Sequence, residues 1–174
     1  MKKFLVLLSC TALFASCGSP RVVIPRAVNT INTAPLGDLN LQRGDYEILN
    51  TITAEASISF TETKKKTQIS DQSNEFSLQG TVNKKFGTIT YEHQGILRLG
   101  YLHSDYVGQN ESLTQPEVLA RRLAIYRAIN IAKEHGADAL IEPTIATNIE
   151  QIGKNTVIYK TTVTAKIIKL KTNR

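Results

Sequence analysis

Residues 45–63 read DYEILNTITAEASISFTET, and this stretch decides the fold. Threonine, serine and glutamate fill most of the odd positions, and apolar side chains fill the even ones, namely Tyr46, Ile48, Ile52, Ala54, Ala56, Ile58 and Phe60. A period of two over this length predicts a long strand with one buried face. Asn50 is the polar interruption. Because the run exceeds the usual strand length of about five or six residues, we expect either a bulge near Asn50 or pairing beyond one small sheet.

A helix is predicted from Pro116 to His135. Thr114 is the expected cap, Pro116 suits the first turn, and Gly136 suits the left-handed position that ends a helix. Leucine, isoleucine and alanine form an apolar stripe along this segment. The stripe leaves the remaining helix surface to the basic side chains Arg121, Arg122, Arg127 and Lys133.

Two further strands are predicted after the helix, over Ala137–Glu150 and Thr156–Lys171, with a turn between them. Proline cannot donate to a strand ladder, so Pro143 places the first of these strands at a sheet edge. In the second strand, Ile167 and Ile168 are adjacent apolar residues, which favours a late bulge. Placing this final strand between the other two satisfies the pairing of all three.

These elements predict an α+β domain, a two-layer split β-α-β-β fold with a mainly antiparallel sheet, one helix packed on one face, and a β-rich insert at about 64–114. Within the insert, Lys64–Asn74 is expected to be an exposed loop and 75–102 to hold one or two hairpins. Lys64, Lys65 and Lys66 indicate a solvated turn, with contact to membrane phosphates as the alternative.

The N-terminus has a basic start, an apolar run over 4–14 that is too short to span a bilayer, and then FASC ending at Cys17. Small residues before a cysteine resemble the lipobox of bacterial lipoprotein signal peptides, and an ordinary secretory signal is the alternative. The resemblance implies cleavage after residue 16 and acylation of Cys17. We therefore expect a signal peptide over 1–16, a tether or edge-hugging segment over 17–43, and a single domain over 44–174.

Charge and cysteine usage narrow the function. Loss of Lys2 and Lys3 with the signal would lower the formal net charge from +6 to +4, which gives little support to nucleic-acid binding. Cys10 and Cys17 are the only cysteines, so the domain holds no disulfide and no thiolate metal site. We expect the lipid bilayer to be the partner, through lipidated Cys17, and the location to be the bacterial cell envelope, facing the periplasm or the surface.

A resemblance supports the fold assignment. The opening strand phrase at 46–56 (YEILNTITAEA) and the phrase GADALI at 136–141 resemble those of small β-α-β-β proteins once described as heavy-metal-binding, and of uncharacterised lipoproteins from Bacteroidetes-type bacteria. The resemblance covers roughly residues 44–62 and 115–171. Soluble relatives resemble dodecin-like assemblies, which implies a homo-oligomer here.

The chemistry-bearing residues indicate no reaction. The histidines, His93, His103 and His135, form no HxH or HxxxH pair, so neither a metal nor another cofactor is predicted. Tyr91, His93, His103 and Tyr106 form a weak candidate site within the insert. We predict a non-enzymatic, membrane-anchored binding or assembly module. The alternative is an envelope ligand- or metal-sequestering protein or a hydrolase with its site in the 64–114 insert.

Overall fold

The computed structural model describes residues 26–29, 31–83, 85, 88–102 and 114–171. These residues form a six-stranded antiparallel sheet, an α-helix and a two-stranded parallel ribbon. The strand order in the sheet is β5-β4-β3-β2-β8-β7, and the ribbon pairs β1 with β6. In chain order the elements are β1 (Arg26–Asn29), β2 (Tyr46–Glu62), β3 (Lys66–Asp71), β4 (Phe76–Asn83), β5 (Thr88–Gly95), β6 (Leu97–Gly100), α1 (Pro116–Glu134), β7 (Ala139–Ile152) and β8 (Thr156–Leu170).

The long strand predicted from the period-two pattern is β2. Its even-numbered residues from Ile52 to Ile58 are buried beneath the helix, on what we call the inner face of the sheet. The bulge predicted near Asn50 is confirmed, because the pairing of β2 with β8 shifts between Ile48 and Asn50. The extra residue reverses the side-chain alternation, so Tyr46 and Ile48 lie on the opposite, outer face.

Strand β8 lies between β2 and β7, as the sequence predicts, and β7 with its Pro143 is an edge strand, also as predicted. The late bulge expected in β8 is wrong, because the register shifts lie in the partner strands. Ile167 and Ile168 adjoin because both faces of the sheet are covered at this point. Ile167 packs in the core beneath α1, and Ile168 packs against leucines of the 31–43 segment on the outer face.

The predicted α+β class, a split β-α-β-β fold with a β-rich insert, is wrong. Strands make up 58% of the described residues and the single helix 15%, so the molecule is a mostly antiparallel β-sheet with one helix. The residues expected to form a separate insert instead extend the same sheet through β3, β4 and β5. They do so because Ile69, Phe76 and Leu78 join the core, and the predicted exposed loop over Lys64–Asn74 contains β3.

Helix α1 begins at Pro116 as predicted and ends at Glu134, one residue before the predicted end, but its N-terminal cap differs from the prediction. Gly136 has a φ of +67° at the predicted left-handed position. The helix cap is Gln115, with no side-chain capping hydrogen bond, so the prediction of Thr114 as the cap is wrong. Arg122 was expected on the surface, yet it is buried with its guanidinium 4.4 Å from the centre of the Tyr101 ring. Stacking on an aromatic face allows this cation to be buried.

Part of the stretch predicted as a tether or edge-hugging segment lies against the sheet. Asn32 forms a parallel bridge with Ala139, and its carbonyl oxygen accepts a hydrogen bond from the Leu140 amide at 2.8 Å. The half-buried side chains that follow it on the outer face, which pack around Ile168, are Leu36, Leu39 and Leu41. This segment therefore covers one end of the outer face and leaves the rest of that face open.

Candidate functional site

The four residues of the sequence-predicted site are only partly described. Tyr91 and His93 lie on β5, on the same side of that strand, opposite Gly80 and Leu78 of β4. The Tyr91 ring lies so close to Gly80 that a Cβ there would be 2.9 Å from its Cε1 atom, and His93 is exposed. His103 and Tyr106 lie outside the described residues. The candidate site stays a prediction, and its described half forms no buried polar cleft.

Metal-binding groups do not converge in the described part of the chain, which holds no cluster of three or more histidine, cysteine, aspartate or glutamate residues. Glu55 and Glu142, which strand pairing could have brought together, lie apart. Glu55 is opposite Thr162, whereas Glu142 contacts Lys166, four residues further along β8. Each carboxylate has its own lysine, so the two do not share a site.

The outer face of β2 and β8 carries a network of short polar side chains. The Thr53 and Thr164 hydroxyls are 3.2 Å apart. The Thr162 hydroxyl donates to Glu55 Oε1 at 3.4 Å, and Lys160 Nζ lies 2.9 Å from Glu55 Oε2. The hydrogen bond and charge of Lys160 lower the pKa of Glu55 from its ordinary value. These five side chains, which we call the outer-face network, form an ionised and hydrogen-bonded surface open to solvent.

A strained glutamate lies at the covered end of the same face. Glu142 occupies the β7 bulge with a φ of +50°, a left-handed conformation that costs a non-glycine residue energy. Its carboxylate accepts a hydrogen bond of 2.6 Å from Lys166 Nζ, and this contact raises the lysine's pKa. The pair borders a small cleft of about 390 Å³ that is also lined by Arg43, Tyr46, Ile48 and Ile141.

A second cleft opens where two hairpin turns meet at the other end of the sheet. The β2–β3 turn and the β7–β8 turn are joined by a hydrogen bond of 2.9 Å from the Glu62 amide to the Asn155 carbonyl. The cleft between them has a volume of about 650 Å³. Both polar or charged and apolar residues line it, namely Phe60, Glu62, Thr63, Lys64, Lys154, Asn155 and Val157.

The ion pair between Asp71 and Arg127 has a structural role. Asp71 at the end of β3 is 1% exposed, and Arg127 Nη2 donates to its Oδ2 atom at 3.1 Å. The same guanidinium donates to the Glu55 carbonyl oxygen at 2.8 Å and to the Ser73 hydroxyl at 2.9 Å. Arg127 therefore joins the helix to β2 and to the β3–β4 turn, and it is engaged in holding the fold together.

Sequence reasoning missed the outer-face network as a unit, although it placed the glutamate at position 55 on the polar face of the long strand. The partners Glu55 and Lys160 are more than a hundred residues apart in the chain, so only the β2–β8 register brings them together. A usable signal was present. The run Thr51-Ile52-Thr53 and the run Thr162-Val163-Thr164 have matching alternation, which is typical of neighbouring strands that share a threonine-lined face.

Comparison with known proteins gives no relative. No protein-family model, no curated protein and no solved structure matches the chain. Among the described residues, no helix has the length and apolar character needed to cross a membrane. The resemblance to β-α-β-β lipoproteins therefore stays a prediction, and function has to be argued from the surfaces described above.

Proposed function

We propose that this chain is a lipid-anchored, non-enzymatic module of the bacterial cell envelope that binds or assembles through the outer face of its sheet. The outer-face network is the observation that carries the proposal. Its side chains are already held by one another, so a partner that docks on Thr53, Glu55 and Thr164 would immobilise few additional rotamers.

The core supports a non-catalytic role. The buried cluster beneath the helix is apolar, and the buried polar side chains in the described ranges are few, namely Thr33, Asp71, Arg122 and Thr161. Asp71 and Arg122 are engaged by Arg127 and by the Tyr101 ring. A sequestering protein or hydrolase with its site at Tyr91 and His93 finds less support, because a half-buried ring packed on Gly80 and an exposed imidazole leave no cleft between them.

The anchor is argued from the sequence. Cys17 lies outside the described residues, and the FASC sequence that resembles a lipobox is the reason for proposing that it is acylated. Two or more acyl chains hold a protein stably at a bilayer, whereas one gives marginal binding. An anchored module needs no membrane-spanning helix of its own, and it would act at the surface of the membrane that holds its lipid.

The binding surface can be tested by placing two long cations in its centre. We expect the variant Thr53→Arg/Thr164→Arg to lose association, because two guanidinium groups would replace hydroxyls that are 3.2 Å apart. Association is measured on the full chain purified in mild detergent, by size-exclusion chromatography with light scattering for self-assembly. In intact envelopes, a lysine-reactive crosslinker acting through Lys160 and Lys166 would report a different partner.

The matched control is Gln72→Arg/Gln115→Arg, which adds the same charge at exposed positions away from the outer face. This control should associate as the native chain does. Association that is unchanged in Thr53→Arg/Thr164→Arg would contradict the proposal. A native chain that is monomeric at high concentration and forms no crosslink in envelopes would contradict it equally.

A further inference from the structure

The sheet topology gathers lysines from distant parts of the chain at one end of the molecule. Strands β2, β4 and β7 all run toward this end and β3, β5 and β8 run away from it, so the three hairpin turns that join them lie along one edge. We call this edge the lysine rim. Its described residues are 62–66, 83, 85 and 152–156, and they include one acidic side chain, Glu62, against the basic side chains Lys64, Lys65, Lys66, Lys85 and Lys154.

The strand pairs that these turns connect are evenly spaced across the whole width of the sheet. The turns lie between the first and second, third and fourth, and fifth and sixth strands of the order β5-β4-β3-β2-β8-β7. Neighbouring strands are about 4.8 Å apart, so consecutive turns are separated by about 10 Å. Backbone hydrogen bonds join the central turn to the strands on both sides, from Glu62 N to Asn155 O at 2.9 Å and from Val82 N to Lys65 O at 3.0 Å. The rim is therefore a row of lysines on a connected scaffold.

Three lysines of the rim, Lys64, Lys65 and Lys154, lie away from acidic groups. Within the described part of the chain, no salt bridge joins Lys64, Lys65 or Lys154 to an acidic group. The opposite end of the sheet differs, because Lys169 there lies 2.9 Å from Asp138 and Lys166 lies 2.6 Å from Glu142. Among the described residues, the rim therefore carries more basic than acidic side chains.

Apolar side chains accompany the lysines. Ile152, beside the β7–β8 turn, is 50% exposed, and Ile89, beside the β4–β5 turn, is 40% exposed. Phe60 and Val157 line the same cleft as Lys64 and Lys154. A soluble polyanion would satisfy the lysines and leave these apolar groups in water. The headgroup region of a bilayer offers both negative charge and apolar depth.

We propose that the lysine rim docks the domain on an anionic lipid surface, with Lys64, Lys65, Lys85 and Lys154 at the headgroups and the neighbouring apolar side chains against the interface. The proposal rests on the proposed lipid anchor in one respect, because the anchor determines which membrane the rim can reach. Arg26 lies nine residues after Cys17, and these nine steps span at most about 32 Å. Arg26 pairs with Leu97, and the chain from Leu97 back to the start of β5 at the rim has about the same length. An extended tether would therefore be long enough for Cys17 to reach a bilayer at the rim.

The test measures lysine accessibility in the native full chain reconstituted into vesicles. One set of vesicles is phosphatidylcholine alone, and the other contains about one third phosphatidylglycerol. Acetylation rates are followed at each lysine by mass spectrometry. A lysine at an anionic surface gains about a factor of five in occupancy, so Lys64, Lys65 and Lys154 should be acetylated about fivefold more slowly in the anionic vesicles. Lys133 and Lys171, at the opposite end, should react equally in both.

Salt and charge reversal provide two further readouts. About 1 M salt, where the Debye length is about 3 Å, should restore the fast acetylation rates. In Lys64→Glu/Lys154→Glu, the protection of Lys65 and Lys85 should be lost, whereas Lys133→Glu/Lys171→Glu, with the same change in net charge, should keep it. Circular dichroism of both variants separates loss of docking from loss of folding, and the native chain gives the result even where a variant does not fold.

Equal acetylation of the rim lysines in both kinds of vesicle would overturn the proposal. Protection by soluble heparin but not by anionic vesicles would also overturn it and assign the rim to a polymer. Failure of the anchor is a separate result. It would show as a native chain that does not float with neutral vesicles, and rim docking could then still be measured with anionic vesicles in excess.

Discussion

Gly100 occupies a position in β6 where no side chain fits. A Cβ there would lie 2.3 Å from the Tyr126 amide nitrogen and 2.6 Å from the Ile125 carbonyl carbon, both in the backbone of α1. Backbone atoms in the middle of a helix cannot move aside cheaply. The ribbon therefore packs on the helix at a distance that depends on glycine, and β6 can lie flat against α1 only while residue 100 has no Cβ.

We expect Gly100→Ala to lower the free energy of unfolding by at least about 2 kcal/mol, because either the ribbon or the helix must shift. Gly37→Ala is the control, since a Cβ at Gly37 meets nothing within 4 Å, and its effect should stay within about 0.5 kcal/mol. Urea unfolding of both variants measures the difference. An equal effect of the two substitutions would show that β6 does not approach α1 this closely.

Asp138 gives a pH dependence at the residue scale. Its carboxylate accepts hydrogen bonds of 2.9 Å from Lys169 Nζ and 2.9 Å from the Leu170 amide, and these lower its pKa below 3.8 in the folded chain. A carboxyl whose folded pKa is depressed stabilises the fold above the unfolded pKa, and this contribution is lost as the pH falls through the folded pKa.

We therefore expect Asp138→Asn to be less stable than the native chain at about pH 6, and we expect this difference to shrink as the pH is lowered to about 2. Urea unfolding at the two pH values gives the comparison. A difference between native and variant that is the same at both pH values would mean that the Asp138 carboxylate does not favour the folded state through its charge.

At the scale of elements, a buried ion pair connects α1 to the sheet. Asp71 is 1% exposed and Arg127 reaches it from the helix. Removing one partner of a buried pair leaves the other charged and without compensation. We expect Arg127→Met to lower the free energy of unfolding by roughly 3 kcal/mol.

A double-mutant cycle isolates this pair. Asp71→Asn in the Arg127→Met background removes the uncompensated charge, so the double variant should be more stable than the sum of the single effects predicts. Additive effects, with no coupling between positions 71 and 127, would show that the ion pair does not hold the helix to the sheet.

The elements also show what a sequence can and cannot predict. Alternation in β2, Pro143 in β7 and Gly136 after α1 report on their own surroundings, and the long strand, the edge strand and the helix end follow from them. Strand β3 gave no such signal, because Ile69 is its only buried apolar side chain and the next inward position is Asp71. That aspartate is buried through an arginine 56 residues away, a pairing that no local pattern contains.

The outer-face network was hidden for the same reason. Threonine and lysine on exposed strand positions are ordinary, and only the register of β2 on β8 places Thr53 beside Thr164. The lysine rim is also a product of topology. Its three turns lie far apart in the sequence and share one edge because β2, β4 and β7 run in the same direction.

At the scale of the whole molecule, the two ends of the sheet have different character. One end is covered on its outer face by the 31–43 segment and has paired charges, and the other carries the lysine rim and an open cleft. The proposed lipid at Cys17 would hold the domain at a bilayer. The lysine rim would then face the membrane, while the outer face stays available to a partner. Acylation of Cys17 is thus the claim on which the proposed function most depends.

The most direct test is incorporation of radiolabelled palmitate by bacteria that express the full chain. We expect the native chain to be labelled, Cys17→Ala to be unlabelled, and Cys10→Ala to be labelled as the native chain is, because only Cys17 follows the FAS sequence. Label that persists in Cys17→Ala, or a native chain that takes up none, would contradict the anchor.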